Sequence, residues 1–436
     1  MVFGFGKSKS GGSRRDYDSS EEFEIESILF QGALNGKEVD LRANAKLAQA
    51  GLVPAKELIS DALARRADMI RLDPKGRVAA VTLYVDGVPF PGSRMPAQQA
   101  LAITQMLKLL AGLDIRDRQN AQAGGIVTDY KETPYHLLIN TSPLKAGGER
   151  LVVRPRNQQV QLETPDDLGF SEDLRVRIRE LTSHRRGVVL VCGPPNSGVT
   201  TLSFAVIRSI DAYLYSIYSL ADFGGRSITH ISQAERVEGE TFDRQLARAI
   251  RSDADVIIVE PLHEEDRLKI VFDDATKVCI VAEYKAPDAG NCITQLRDTL
   301  GAEIVSDRLA MVLSQKLIRL LCDECKQAYR PNPRLLQKVG LPPETKVLYR
   351  PPQPIEGEEP DECYKCGSIG YFGRTGVIQA IEVNDSIKEL IKSGADASAL
   401  KNQARREGMQ SFQSDGLRLV AEGKTSLEEL QRAFKA

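Results

Sequence analysis

The passage from Val188 to Thr201 limits what this chain can fold into more than any other. A short, unbroken apolar run, Val188–Cys192, reads as a strand buried on both faces. It leads into Gly193-Pro194-Pro195-Asn196-Ser197-Gly198-Val199-Thr200-Thr201, and Leu202 onward can open a helix. A phosphate-cradling loop has the pattern GxxxxGK[ST] in this strand–loop–helix context. Its backbone N–H groups hold the phosphates, its lysine neutralises their oxygens and its hydroxyl ligates Mg²⁺. Here the glycines and the hydroxyl stand in place, but Val199 occupies the lysine position. Glycine-rich turns between strand and helix also occur in α/β proteins that bind nothing there, so the pattern alone leaves both readings open. Any residual nucleotide contact falls to Gly193, Asn196, Ser197, Gly198, Thr200 and Thr201.

Similar apolar runs recur at Leu214–Leu220, Val256–Val259 and Val278–Ala282, alternating with helical patterns. Such alternation builds parallel βαβ units with a sheet covered on both faces. The chain before this region reads differently. Ala55–Arg66 follows Pro54 as a helix, and Val78–Val85 alternates into a strand that Asp86-Gly87 ends as a hairpin turn. Ile103, Met106, Leu107 and Leu110 recur at helical spacing, and strand patterns follow at Tyr135–Asn140 and Leu151–Val153. The spacing predicts a small α+β domain over 41–154, a Pro- and Gln-containing linker over 155–166, and an α/β domain over 167–436. Residues 1–40 are expected to be a polar tail and lead-in, because Gly, Ser and mixed charges dominate the first 22 and cannot offset the entropy of ordering. Within the last domain, 322–376 breaks the α/β rhythm, 384–436 returns to helix, and Thr425 with Glu428 reads as a capping box opening the last helix.

With 436 residues the chain is long enough for two to three domains, and a net charge of −2 excludes a globally basic nucleic-acid binder. No apolar run is long enough to span a bilayer and no signal-peptide pattern opens the chain, so a cytoplasmic location is expected. Seven cysteines, an odd count in such a chain, argue against a disulfide framework. Cys192, Cys279 and Cys292 fall in or beside apolar strands and read as core residues. The other four form two CxxC pairs, Cys322/Cys325 and Cys363/Cys366, and four soft thiolates suit a tetrahedral structural Zn²⁺. Buried reduced thiols or a redox CxxC are the alternatives. His136, His184, His230 and His263 share no metal-binding spacing.

From about Arg66 to the C-terminus the chain resembles the ATPases of type II secretion and type IV pilus assembly. Leu113-Asp-Ile-Arg-Asp-Arg118 is similar to the family's LDI-x-[ED]-R stretch, and Gly148-Glu-Arg-Leu-Val-Val-Arg154 to its GE-x-x-V-x-R strand. Gln315-Lys-Leu-Ile-Arg-Leu-Leu-Cys322-Asp-Glu-Cys325 resembles Q-[RK]-L-[VI]-R-x-L-C-x-x-C, and Cys363 to Gly376 resembles the second half of a tetracysteine insert. The resemblance implies a RecA-like P-loop NTPase domain, a small N-terminal α+β domain, a zinc insert and assembly into hexameric motors.

The departures from that family gather at catalytic positions. Besides Val199, the acidic box aligns with Ser219 to Gly225, so its first acid is Ala221 and only Asp222 survives. The Walker B stretch aligns with Asp253 to Pro261, where Glu260 and Pro261 replace Gly and the catalytic Glu. Both histidines of the histidine box are gone, Val278 and Lys285 standing in their places. Arginines directed at phosphate become Gln119, Gly125 and Leu138, whereas Arg118 and Arg154 remain. Losing the lysine's charge-assisted bond alone, roughly 1.5–3 kcal/mol, weakens nucleotide binding by about one to two decades. The resemblance with these losses implies a non-hydrolysing assembly or regulatory component. Its expected partners are further copies of itself, an intact homologous ATPase, or inner-membrane platform components, at the membrane periphery, and not nucleic acid. A slow ATPase using Glu260, Asp222 and Thr200, or an ATP-binding sensor without turnover, are the rival expectations.

Overall fold

The computed structural model describes residues 28–145, 147–160, 164–221, 228–235, 237–353 and 362–435. Asp222, Gly225 and the tail expected over 1–22 lie outside them. The chain divides into two compact units, Met1–Gln159 and Val160–Ala436.

The first unit runs β1 (Leu29–Ala33), α1 (Ala45–Ala64), β2 (Ala67–Lys75), β3 (Val78–Val85), β4 (Val88–Pro96), α2 (Ala97–Leu110), β5 (Gln122–Tyr130), β6 (Thr133–Pro143) and β7 (Glu149–Asn157). Its seven strands form one antiparallel sheet in the order β1-β5-β6-β7-β2-β3-β4. Alternation decides which face is buried. Val81 and Leu83 of β3 and Leu137 and Ile139 of β6 point to the same core as Ile103, Met106, Leu107 and Leu110 of α2.

Three expectations need correction here. Helix α1 begins ten residues before Ala55 and carries Pro54 in its interior. An interior proline costs about 3 kcal/mol, and close packing offsets it: Gly51 lies so near α2 that a Cβ there would stand 2.6 Å from the Ala102 carbonyl oxygen. The supposed lead-in contains β1, which pairs with β5 beside the fully buried Ile28. The supposed linker begins inside β7, whose Asn157 is opposite Tyr135.

The second unit comprises α3 (Glu172–Ser183), β8 (Gly187–Cys192), α4 (Val199–Ser209), β9 (Ile217–Ser219), β10 (Ser232–Gln233), α5 (Phe242–Arg251), β11 (Val256–Ile258), α6 (Glu265–Asp274), β12 (Cys279–Glu283), α7 (Ala289–Leu300), α8 (Ala302–Arg308) and β13 (Leu309–Leu321). It continues with β14 (Gln327–Tyr329), α9 (Pro333–Val339), β15 (Leu348–Arg350), β16 (Tyr371–Glu382), α10 (Asp385–Lys392), α11 (Ala397–Arg406), α12 (Phe412–Ala421) and α13 (Leu427–Lys435). The main sheet has the order β10-β9-β11-β12-β8-β13-β16; all neighbours are parallel except β13 and β16. Both faces are covered. Val189 and Val191 of β8 pack with α4, while Val188 and Leu190 join the layer of α6 and α7. Every residue of β8 is buried, and each such aliphatic side chain contributes about 1.5–3 kcal/mol.

The strand expected over Leu214–Leu220 is only Ile217–Ser219. Asp211 accepts backbone bonds from Leu214 and Tyr215, holding that stretch in a turn with Leu214 exposed. Cys192 and Cys279 are strand residues, but Cys292 sits within α7; all three are fully buried. The last helix is capped by Ser426, whose Oγ accepts from the Glu429 N–H, whereas Thr425 donates to the Arg319 carbonyl.

Candidate functional site

Two clusters stand out in the second unit. The first is the loop between β8 and α4. Gly198, immediately before the helix, has φ +79°, a conformation that favours glycine. A Cβ at Gly193 would stand 2.4 Å from Ser197 Oγ, so the first glycine also makes room for the loop to fold back. Gln315 braces the turn: its Nε2 donates to the carbonyls of Ser197 (2.7 Å) and Gly198 (3.2 Å) from β13. The sequence carries Gln315 at the head of a family-like stretch but does not reveal this role.

The side chains tell a different story from the backbone. Val199 packs against the apolar cluster formed by α4 and the odd residues of β8. Thr200 is exposed, and its hydroxyl donates to Glu283 Oε2 at 3.4 Å. Asn196 is exposed at φ +65°, Ser197 is buried, and Thr201 is half-buried. Glu283 was not among the sequence-predicted residues. It ends β12, the strand beside β8, and burial raises its carboxyl above the ordinary value, an effect the Thr200 hydrogen bond opposes. Eighty-three positions separate it from Thr200, and only the parallel pairing of β12 with β8 brings the two together.

The other positions that resemble family motifs take part in other interactions. Ala221 is buried and its carbonyl accepts from Gln233. Asp255, at the start of β11, accepts from the Ser216 N–H and pairs with Arg185. Glu260 pairs with Arg267 at 3.3 Å and lines a cavity of about 380 Å³ with Leu220, Phe242 and Gln245. Asp288 caps α7 and binds Lys401 at 2.9 Å. In the first unit Leu138 lies opposite Arg154 on paired strands, and Arg118 is exposed. Lys108 of α2 links the two stretches there that resemble family motifs, which was not foreseen from sequence: its Nζ meets Glu149 Oε1 at 2.7 Å, almost wholly buried, and also donates to the Asp117 carbonyl.

The second cluster joins Cys322, Cys325, Cys363 and Cys366, whose sulfur atoms all lie within 4.8 Å of one another. Cys322 and Cys363 are 3.8 Å apart, and Cys325 and Cys366 are 3.6 Å apart. A tetrahedral ion with metal–sulfur bonds of about 2.3 Å sets sulfur–sulfur edges of about 3.8 Å, so the set fits such an ion. Gly367, at φ +60°, makes the turn after the second pair. The Gly370 N–H donates to Cys366 Sγ, and the Cys322 N–H donates to the Gly370 carbonyl. The Cys366 backbone N–H lowers the Cys363 thiol to about 7, whereas burial raises the thiols of Cys322 and Cys325. Among the described residues this is the one group of three or more such side chains that could hold a metal ion, and none of the four histidines belongs to it.

Residues 48–432 match the family model described as type II/IV secretion system protein. The chain belongs to that family. The type IV pilus assembly ATPase PilB of Thermus thermophilus is 30% identical over 381 residues, covering 86% of this chain and 42% of the relative. The type II secretion system protein E of Xanthomonas campestris pv. campestris is 27% identical, covering 86% of this chain and 66% of the relative. This family member thus spans between about two fifths and two thirds of the length of these relatives. Its mixed α/β fold is shared with the ATPase DotB of Legionella pneumophila, at a TM-score of 0.53 and 11% identity, over 88% of this chain and 95% of that one. No helix among the described residues is long and apolar enough to cross a membrane.

Proposed function

We propose that this family member is a non-hydrolysing pseudo-ATPase, an assembly or regulatory component of a type II secretion or type IV pilus-like system. The observation carrying this reading is the content of the loop. The lysine position holds the neutral Val199, half-buried against the core, and the hydroxyl after it donates to the Glu283 carboxylate. Phosphoryl transfer depends on positive charge at the phosphates and on an acid that orients water. Neither is provided by Val199, Ala221 or Pro261. A slow ATPase built on Glu260 gains no support, because that carboxylate is engaged by Arg267.

The RecA-like P-loop domain persists in this reading as a scaffold, with Gly193, Asn196, Ser197, Gly198, Thr200 and Thr201 as its vestigial nucleotide contacts. The four cysteines hold a structural zinc ion. The protein works in the cytoplasm, at the inner-membrane face of its machine, with copies of itself, an intact homologous ATPase or membrane platform proteins as partners. Phosphate release by purified protein with Mg-ATP tests the central claim. Turnover at background is expected; turnover that disappears in Thr200→Ala overturns it. Binding calorimetry then separates a scaffold from a nucleotide sensor, which would bind without turnover.

A further inference from the structure

We propose that Glu283 is the residue that closes the phosphate loop to nucleotide, acting as a fixed anion inside a cradle shaped for anions. The inference rests on reading 193–201 as a degenerate nucleotide loop. It differs from the loss of lysine: a missing cation weakens binding, whereas an added carboxylate opposes it.

The geometry is local and specific. In a working loop the hydroxyl after the lysine position ligates a Mg²⁺ that bridges the phosphates. Thr200 holds that position, and Glu283 Oε2 lies 3.4 Å from its Oγ1. A carboxylate that close sets negative charge beside the hydroxyl that a bound ion would share with the phosphates. Thr200 makes no other side-chain hydrogen bond among the described residues, so Glu283 is the one side chain that holds its hydroxyl proton. Strand alternation explains why the side chain points there: Cys279 and Val281 face α4, and Glu283, paired with Val191, continues the same face at the strand's last position.

The surrounding charges do not cancel it. Val199 and Gln315 are neutral, and Lys285, two residues further along, is exposed with no ion-pair partner among the described residues. A charge held in water is screened far more than one that is half-buried, so the carboxylate outweighs the ammonium at the loop. The remaining polar groups of the cradle are uncharged, including the Ser197 hydroxyl, which is 4% exposed and whose Oγ has no partner. A phosphate entering here meets backbone N–H dipoles, no fixed cation within the loop, and one anion.

The test is a cycle of four proteins, wild type, Val199→Lys, Glu283→Gln and Val199→Lys/Glu283→Gln, titrated with Mg-ATP and with magnesium-free pyrophosphate in a calorimeter. Glutamine keeps the size and hydrogen bond of Glu283, and circular dichroism checks that each variant folds. The double variant is expected to bind Mg-ATP at least about tenfold more tightly than Val199→Lys, with a larger ratio for pyrophosphate. An introduced lysine would otherwise be neutralised by Glu283, so the two changes should reinforce one another. Equal or weaker binding after Glu283→Gln overturns the proposal and makes the carboxylate a magnesium ligand through Thr200. The outcome is independent of the reading it rests on: phosphate release by wild type would refute the pseudo-ATPase while leaving this affinity ratio to be judged by itself.

Discussion

The β8–α4 loop and the cysteine knuckles sit in one unit of the chain and keep different shares of their motifs. In the loop the two glycines and the Thr200 hydroxyl stand in place, and Val199 holds the lysine position. In the knuckles the reactive side chains are all present and spaced for a metal. The loop's path depends on Gly193, Gly198, the buried strand β8 and the brace from Gln315, none of which needs a nucleotide. In the knuckles four thiols lie within 4.8 Å of one another, beside the apolar cluster that includes Leu336, Leu341 and Leu348, so four like groups meet where a shared ligand would join them. Replacing a side chain that only performed chemistry leaves a fold standing, and replacing one that bears structure does not.

The comparison breaks most visibly at the metal. Cys363→Ser should reduce bound zinc from near one per chain to near zero and lower the melting temperature of the second unit. Structural zinc in small modules contributes on the order of 10 kcal/mol to local folding. Elemental analysis with thermal melting decides it, and zinc content that survives the change would mean that the ligand set is wrong.

A smaller effect is expected at Gln315→Ala, which leaves the carbonyls of Ser197 and Gly198 without their brace. Two buried acceptors put the loss at about 1–3 kcal/mol, readable as a lower urea midpoint, and a midpoint unchanged would mean that the loop supports itself. Gly198→Ala should cost about 1–2 kcal/mol, because φ +79° is strained for alanine and its Cβ would stand 2.7 Å from Gln315 Nε2. Equal stability to wild type would remove the glycine argument.

The smallest effect is pH-dependent. Burial raises the Glu283 carboxyl, so the folded state holds its proton more tightly than the unfolded chain does. The stability this contributes is present below the ordinary glutamate value of 4.5 and is lost as pH rises through the higher folded value. Glu283→Gln should therefore flatten the decline of stability with pH just above 4.5. A decline identical to wild type in urea titrations across that range would assign it to other groups.

Much of this was legible where local pattern and tertiary context agree. Val188–Cys192 is a strand in both, Val78–Val85 ends at its Asp86-Gly87 turn in both, and the four cysteines converge. The misses share a cause. Pro54 reads as a boundary by propensity but lies inside α1, because packing at Gly51 against α2 carries the helix through it. Thr425 and Ser426 are equally good caps by type, and the Arg319 carbonyl, distant in sequence, claims Thr425. Lys108 sits in a helical pattern that looked merely amphipathic until Glu149 met it. Glu283 was passed over because the parallel pairing of β12 with β8 is what gives it meaning.

The ladder of β13 with β16 joins the two contrasting regions. β13 carries Gln315 beneath the loop and ends at Leu321, directly before Cys322; β16 begins at Tyr371, shortly after Cys366, and Leu321 is paired with Tyr371. The cysteine cluster therefore sits like the end-stop of a zip whose teeth run from Leu321 to Gln315, a span of six residues and about 20 Å. Chelation should let the zip open from that end, and amide exchange would rise first at Cys322, whose N–H donates to the Gly370 carbonyl, and last at Gln315. A metal that never approaches a phosphate would in this way govern how firmly the empty cradle keeps its shape.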